Sequence, residues 1–313
     1  GQTGQGINCI GIGQSAGANA QGQSAVAIGV GAGRYGQGTS AVSIGDSAGR
    51  NSQGQQSVAI GSEAGHTGQS DHSVSIGPSS GSTSQGIYSA AIGANAGYLT
   101  QGQGCVAVGG NCGQYSQTEW ATAVGYGAGR TGQSSYAVCV GTSAGNIDQG
   151  ENSVAVGSNA GERSQGGQAV AIGLGAGRYV QGTNAVSVGY FAGVTGQGQH
   201  TIAIGTESGQ NSQEGGAIAM GYSSGQFEQG QQGVAIGYES GVTGQGAESV
   251  AVGNGSGKTS QGSIAVAIGS ECGQNNQGQG SIAVGYLSGQ FAQNQQAVAV
   301  GYLCGVTGQG FAT

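Results

Sequence analysis

Glycine recurs every sixteen residues from Gly13 to Gly301, nineteen times, and the register never slips. A second glycine stands four residues after each of these, from Gly17 to Gly305, and a glutamine completes the frame at every turn from Gln5 to Gln309. The consensus is (Ser/Ala)-Val-Ala-(Ile/Val)-Gly-x-x-(Ala/Ser)-Gly-x-x-x-Gln-Gly-x-x. A fixed period held through the whole chain is the signature of a solenoid, in which each repeat is one unit stacked on its neighbours. One inserted residue would move a strand's side chains to the opposite face, which explains why the frame tolerates none.

Within the unit, the residues before the first glycine alternate. Val26 and Ile28, Val170 and Ile172, and Val266 and Ile268 share one side of the chain; Ala25 and Ala27, or Ala169 and Ala171, share the other. A period of two built on β-branched residues predicts a strand. Turn glycines such as Gly173 and Gly177 follow it, and sixteen residues suit a flattened coil of two short strands and two turns. The expected fold is all-β: a parallel β-solenoid, a two-sided β-roll of strict sixteen-residue rungs, about 19–20 of them. At about 4.8 Å per rung these would make a rod of about 90–95 Å. Residues 1–313 read as one continuous repeat domain, without visible end caps, cut from a longer fibre. Blocks have been duplicated: Gly221–Gly246 recurs as Gly285–Gly310, four rungs on. A chain that grows by whole rungs suggests that length is the useful property.

Hydrophobicity places the Val/Ile pairs (Val26, Ile28, Val170, Ile172, Val266, Ile268) inside as the rung core. The opposite column then faces outward. It is Ala in fourteen of nineteen rungs and otherwise Ser, Gly or Cys. Ala27, Ala59, Ala107, Ala171, Ala235 and Ala299 are thus expected to form a smooth stripe for self-association. The glutamine column, with Gln181 as an example, has two readings: an amide ladder along the stack, or a tie from each glutamine to its own turn.

The phrases Ser57-Val58-Ala59-Ile60-Gly61 and Ser153-Val154-Ala155-Val156-Gly157 resemble the head repeats of YadA-like trimeric autotransporter adhesins, and glycine-rich repeats of phage and viral fibres are similar. The resemblance implies a left-handed β-roll, three chains around an axis with small residues at the centre, and a place outside the cell or on a cell or virion surface.

Composition excludes several functions. The chain has 73 glycines, 6% charged residues and a net charge of −7 with six basic residues, so it lacks the basic face that nucleic acid requires. No run of eighteen apolar residues exists to insert into a membrane in this segment. Gly173-Leu174-Gly175-Ala176-Gly177 imitates a phosphate loop, but it lacks the Lys-Ser/Thr of a P-loop and two of its glycines belong to the frame. The six cysteines occupy columns of Ala and Ser and read as small buried replacements; Cys105 and Cys112 share one rung, which leaves a pairing between them open, as is pairing between chains. No metal site, cofactor or catalytic triad is expected, and the chain does not read as an enzyme. Arg34, Arg50, Arg130, Arg178 and Lys258 share a column of solvated turn residues. Tyr222 with Tyr238, and Tyr286 with Tyr302, lie on adjacent rungs as a possible surface aromatic strip.

The functional expectation is a structural extracellular fibre or filament that self-associates into a homo-oligomer, a trimer favoured. The alternatives are an adhesin contacting a glycan or cell surface through variable turns, and an ice-binding solenoid, which the absence of outward Thr rows disfavours.

Overall fold

The structure is a computed structural model that describes residues 3–308. The chain divides into two compact units, the first ending at Val156 and the second beginning at Gly157. Each unit is an all-β parallel solenoid of sixteen-residue rungs, and the described residues contain no helix. In the first unit ten strands run from Thr3–Gln5 to Ile147–Gln149, and ten more from Ile10–Ile12 to Val154–Val156. In the second, nine run from Arg163–Gln165 to Phe291–Gln293 and nine from Val170–Ile172 to Val298–Val300. Gln309, the last glutamine of the frame, lies outside the described residues.

Every strand pairs in parallel with the strand one rung away, in register. In one sheet Val170 faces Val186, Ala171 faces Ser187 and Ile172 faces Val188. In the other, Tyr179 faces Thr195 and Gln181 faces Gln197. The turns are laddered as well as the strands: Gly177 N–H donates to Ala192 O at 2.9 Å, and Gly189 N–H to Ile172 O at 2.8 Å. Main-chain hydrogen bonding thus runs nearly all the way around a rung, which suits a chain too poor in bulky residues to rely on a wide core.

Three-residue strands need frequent corners, and these come from left-handed backbone. In the rung 173–188, Gly173 (φ 121°), Gly175 (φ 65°), Gly177 (φ 55°), Val180 (φ 51°) and Asn184 (φ 58°) all have positive φ. Two of these glycines are also fixed by space. A Cβ on Gly173 would lie 2.5 Å from the carbonyl oxygen of Gly189, and one on Gly177 would lie 2.6 Å from Oε1 of Gln181. The constant spacing of the second glycine and the glutamine is therefore one contact.

The two faces of the Val-Ala-Ile strand are the reverse of the expectation from hydrophobicity. Ala27, Ala59, Ala107, Ala171 and Ala235 are fully enclosed, and Ala299 nearly so. They form the core, not an outward stripe. Val26, Ile28, Val170 and Val266 are half-buried on the outer face, and Ile172 and Ile268 are 40% and 41% exposed. The inside of a rung is built from three small side chains and one amide, as with Ala169, Ala171, Ala176 and Gln181. That space is too narrow for a layer of Val and Ile. Close packing rejects side chains that do not fit, however apolar they are.

Candidate functional site

The enclosed glutamine row is the most constrained part of each unit. Gln181 Nε2 donates to Val170 O at 2.9 Å and to Ala185 O at 3.2 Å. The first bond reaches across the rung to the facing strand; the second closes the rung's own turn. Gln37, Gln117, Gln133, Gln229 and Gln277 repeat the pattern. The rung-to-rung ladder is present too: Gln85 donates to Gln101 Oε1 (3.2 Å), Gln101 to Gln117 (3.1 Å) and Gln117 to Gln133 (3.0 Å) in the first unit. In the second, Gln213 donates to Gln229 at 2.9 Å. Both readings of the glutamine column hold together.

Serine in the alanine column inserts itself into this ladder. Gln37 Nε2 donates to Ser43 Oγ at 3.3 Å, and Ser43 Oγ donates to Gln53 Oε1 at 2.6 Å. Ser75 and Ser187 act in the same way between Gln69 and Gln85, and between Gln181 and Gln197. Cys139 does so between Gln133 and Gln149. The sequence carried a sign of this, since the polar substitutes in that column are all hydroxyl or thiol donors of alanine's approximate size. At Gln37, Gln69, Gln245 and Gln261 the Oε1 has no partner.

The glycine loop at Gly173–Gly177 is closed to phosphate. Gly175 N–H donates to Ser158 O and Gly177 N–H to Ala192 O, each at 2.9 Å. The amides that such a loop must offer an anion are already used by the stack.

All six cysteines are free, including Cys105 and Cys112. Cys105, Cys112, Cys139 and Cys272 are enclosed, as small replacements should be, while Cys9 and Cys304 are half-buried. Burial pushes the thiols of Cys112 and Cys272 up to about 12 and raises those of Cys105 and Cys139. A thiol held protonated is neither nucleophile nor metal ligand. Among the described residues no cluster of three or more His, Cys, Asp or Glu is arranged to hold a metal ion. His66 Nδ1 contacts its neighbour Thr67 Oγ1 (3.0 Å) and His72 stacks on Tyr88 (5.3 Å), both on the outer surface.

The expected tyrosine strip is present in the second unit as two separate stacks. Tyr222 and Tyr238 lie 5.2 Å apart at 10°, and Tyr286 and Tyr302 lie 5.4 Å apart at 15°. Ion pairs run between rungs: Arg178 to Glu162 and Lys258 to Glu239, each at 2.6 Å. The hydrogen bond from Lys258 holds the Glu239 carboxyl below the usual range, and that carboxylate raises the adjacent Tyr238 hydroxyl.

The outer face of the Val-Ala-Ile sheet is what hydrophobic reasoning missed. In the second unit it carries Val170 and Ile172, Val186 and Val188, Ile202 and Ile204, and their successors to Val298 and Val300, in two columns with no charge. Apart from Ala90 and Thr122, the same columns in the first unit are Val and Ile throughout. No known family model matches the chain, and no curated protein matches it.

Proposed function

We propose that the chain is a non-enzymatic structural protein, a segment of a fibre outside the cell or on a cell or virion surface, which assembles with copies of itself. The observation that carries this reading is the ladder of enclosed glutamines. An amide row bonded along the stack and across it gives stiffness and resistance to proteases. The resemblance of the Ser-Val-Ala-Ile-Gly phrase to adhesin-head and viral-fibre repeats points the same way and supplies the placement outside the cell. With the alanines enclosed, the proposal no longer rests on small residues around a three-fold centre; it is self-assembly of copies.

Electron microscopy of the purified chain tests it. Rods or filaments are expected. A dispersed 29.9 kDa monomer by light scattering would reject it.

One observation favours a second reading. The Tyr222–Tyr238 and Tyr286–Tyr302 stacks leave four tyrosine rings exposed on the surface, apolar bodies with a polar tip of the kind a glycan can contact. An adhesin would bind glycans on an array and lose that binding when Tyr222 and Tyr238 become alanine; a structural strip would show no such binding.

A further inference from the structure

We infer that the outer face of the Val-Ala-Ile sheet is the surface through which one copy of the chain packs on another, sheet against sheet. The inference rests on the self-assembling reading above and replaces the alanine stripe as its contact surface. A solvated strand face normally carries polar side chains. Here no strand residue of this sheet is charged and its small residues face the interior, so the large aliphatics form the surface.

Three features select a second copy as the occupant. The first is spacing. Side chains on this face repeat at the interstrand distance, about 4.8 Å, and form two ridges with a groove between them. A partner that matches this repeat over many rungs is another sheet of the same kind, and such sheets pack face to face at about 10 Å. The second is area. Nine strands span about 43 Å. The two aliphatic columns alone cover on the order of 500 Å², and the neighbouring column, where exposed Leu174, Tyr190, Tyr222, Tyr238, Tyr286 and Tyr302 stand with Thr206, Asn254 and Ser270, brings the patch to about 850 Å². A stable interface needs about 800 Å² from each partner. The third is charge. The two columns carry none, and the chain is acidic with a net charge of −7, which opposes an anionic lipid surface or nucleic acid. The edge tyrosines fit the aromatic enrichment of protein interfaces.

Ile172→Thr, Ile204→Thr and Ile236→Thr, combined in the full chain, test this. Threonine keeps the β-branch and already stands in the neighbouring Val column at Thr122, so the sheet should form. Circular dichroism confirms folding, and Thr195→Lys with Thr243→Lys on the opposite sheet is the control. The expected result is that wild type and control sediment as assemblies while the triple variant sediments as a 29.9 kDa monomer. If the folded triple variant assembles like wild type, the interface is overturned and the fibre reading stands. If wild type itself is monomeric at micromolar concentration, both are overturned. Thermal hysteresis by that monomer would give the face to ice.

Discussion

Gln181 Oε1 occupies the place that a Cβ on Gly177 would need, 2.6 Å away. This contact ties Gly177 to the glutamine four residues on, and it recurs at Gly17, Gly33 and Gly129. Gly177→Ala therefore combines a side chain at φ 55° with displacement of an enclosed amide. Chemical denaturation should show a loss of about 2–4 kcal/mol, above the ordinary range for one methyl group at a surface turn.

Replacing the amide by a group of similar size tests the network from the other side. Gln181→Leu keeps the volume but leaves Val170 O, Ala185 O and Ser187 Oγ without their donor. Each buried group left unpaired costs about 1–3 kcal/mol, so urea unfolding should register a loss of at least about 2 kcal/mol. A neutral result would show that these bonds do not hold the rung.

The period, the strand positions, the parallel in-register pairing and the turn glycines were all legible, because a sixteen-residue frame without slips leaves few ways to stack. The direction of the strand was not. Hydrophobicity favours Val170 and Ile172 inside, and only the width of the rung, set by tertiary packing, forces them out. One clue lay in Cys139. It occupies the column of Ala171, and a cysteine read as a small buried replacement implies that its column is buried. The permissiveness of the Val/Ile columns, which admit Ala90, Thr122 and Met220, was another clue. The glutamine network was half legible: the column was visible, but its bonds across the rung depend on how closely the two sheets approach.

Two corners carry β-branched aliphatic residues in left-handed backbone, Val180 at φ 51° and Ile264 at φ 60°. Both are exposed, so little packing is lost on substitution. Asn276 and Asn184 occupy the same columns with φ 54° and 58°. Asparagine tolerates this region far better than a β-branched residue. Val180→Asn and Ile264→Asn should each raise stability by about 1 kcal/mol, read as a higher denaturation midpoint.

The buried thiols make stability depend on alkaline pH. Cys112 and Cys272 have folded values pushed up to about 12 from an ordinary 9.0. Between these values the unfolded chain loses the proton while the folded chain keeps it, so ionisation favours unfolding. Their contribution is intact below pH 9 and falls as pH rises toward 12. Cys112→Ser with Cys272→Ser, whose columns hold Ser80 and Ser256 elsewhere, should flatten the decline relative to wild type. At pH 8 a thiol reagent should modify half-buried Cys9 and Cys304 well before the enclosed four.

Lysine at neighbouring positions separates the two faces most directly. Ala171 is 0% exposed and Ile172 40%. Ala171→Lys would bury a charge in a space that holds a methyl group and should cost more than about 4 kcal/mol, enough to unfold the rungs around it. Ile172→Lys places its ammonium in water and should change the unfolding free energy of the chain by less than about 1 kcal/mol. Thermal or urea denaturation of the two variants reads both. The opposite order, with Ala171→Lys tolerated and Ile172→Lys unfolded, would return the aliphatics to the interior and contradict the account.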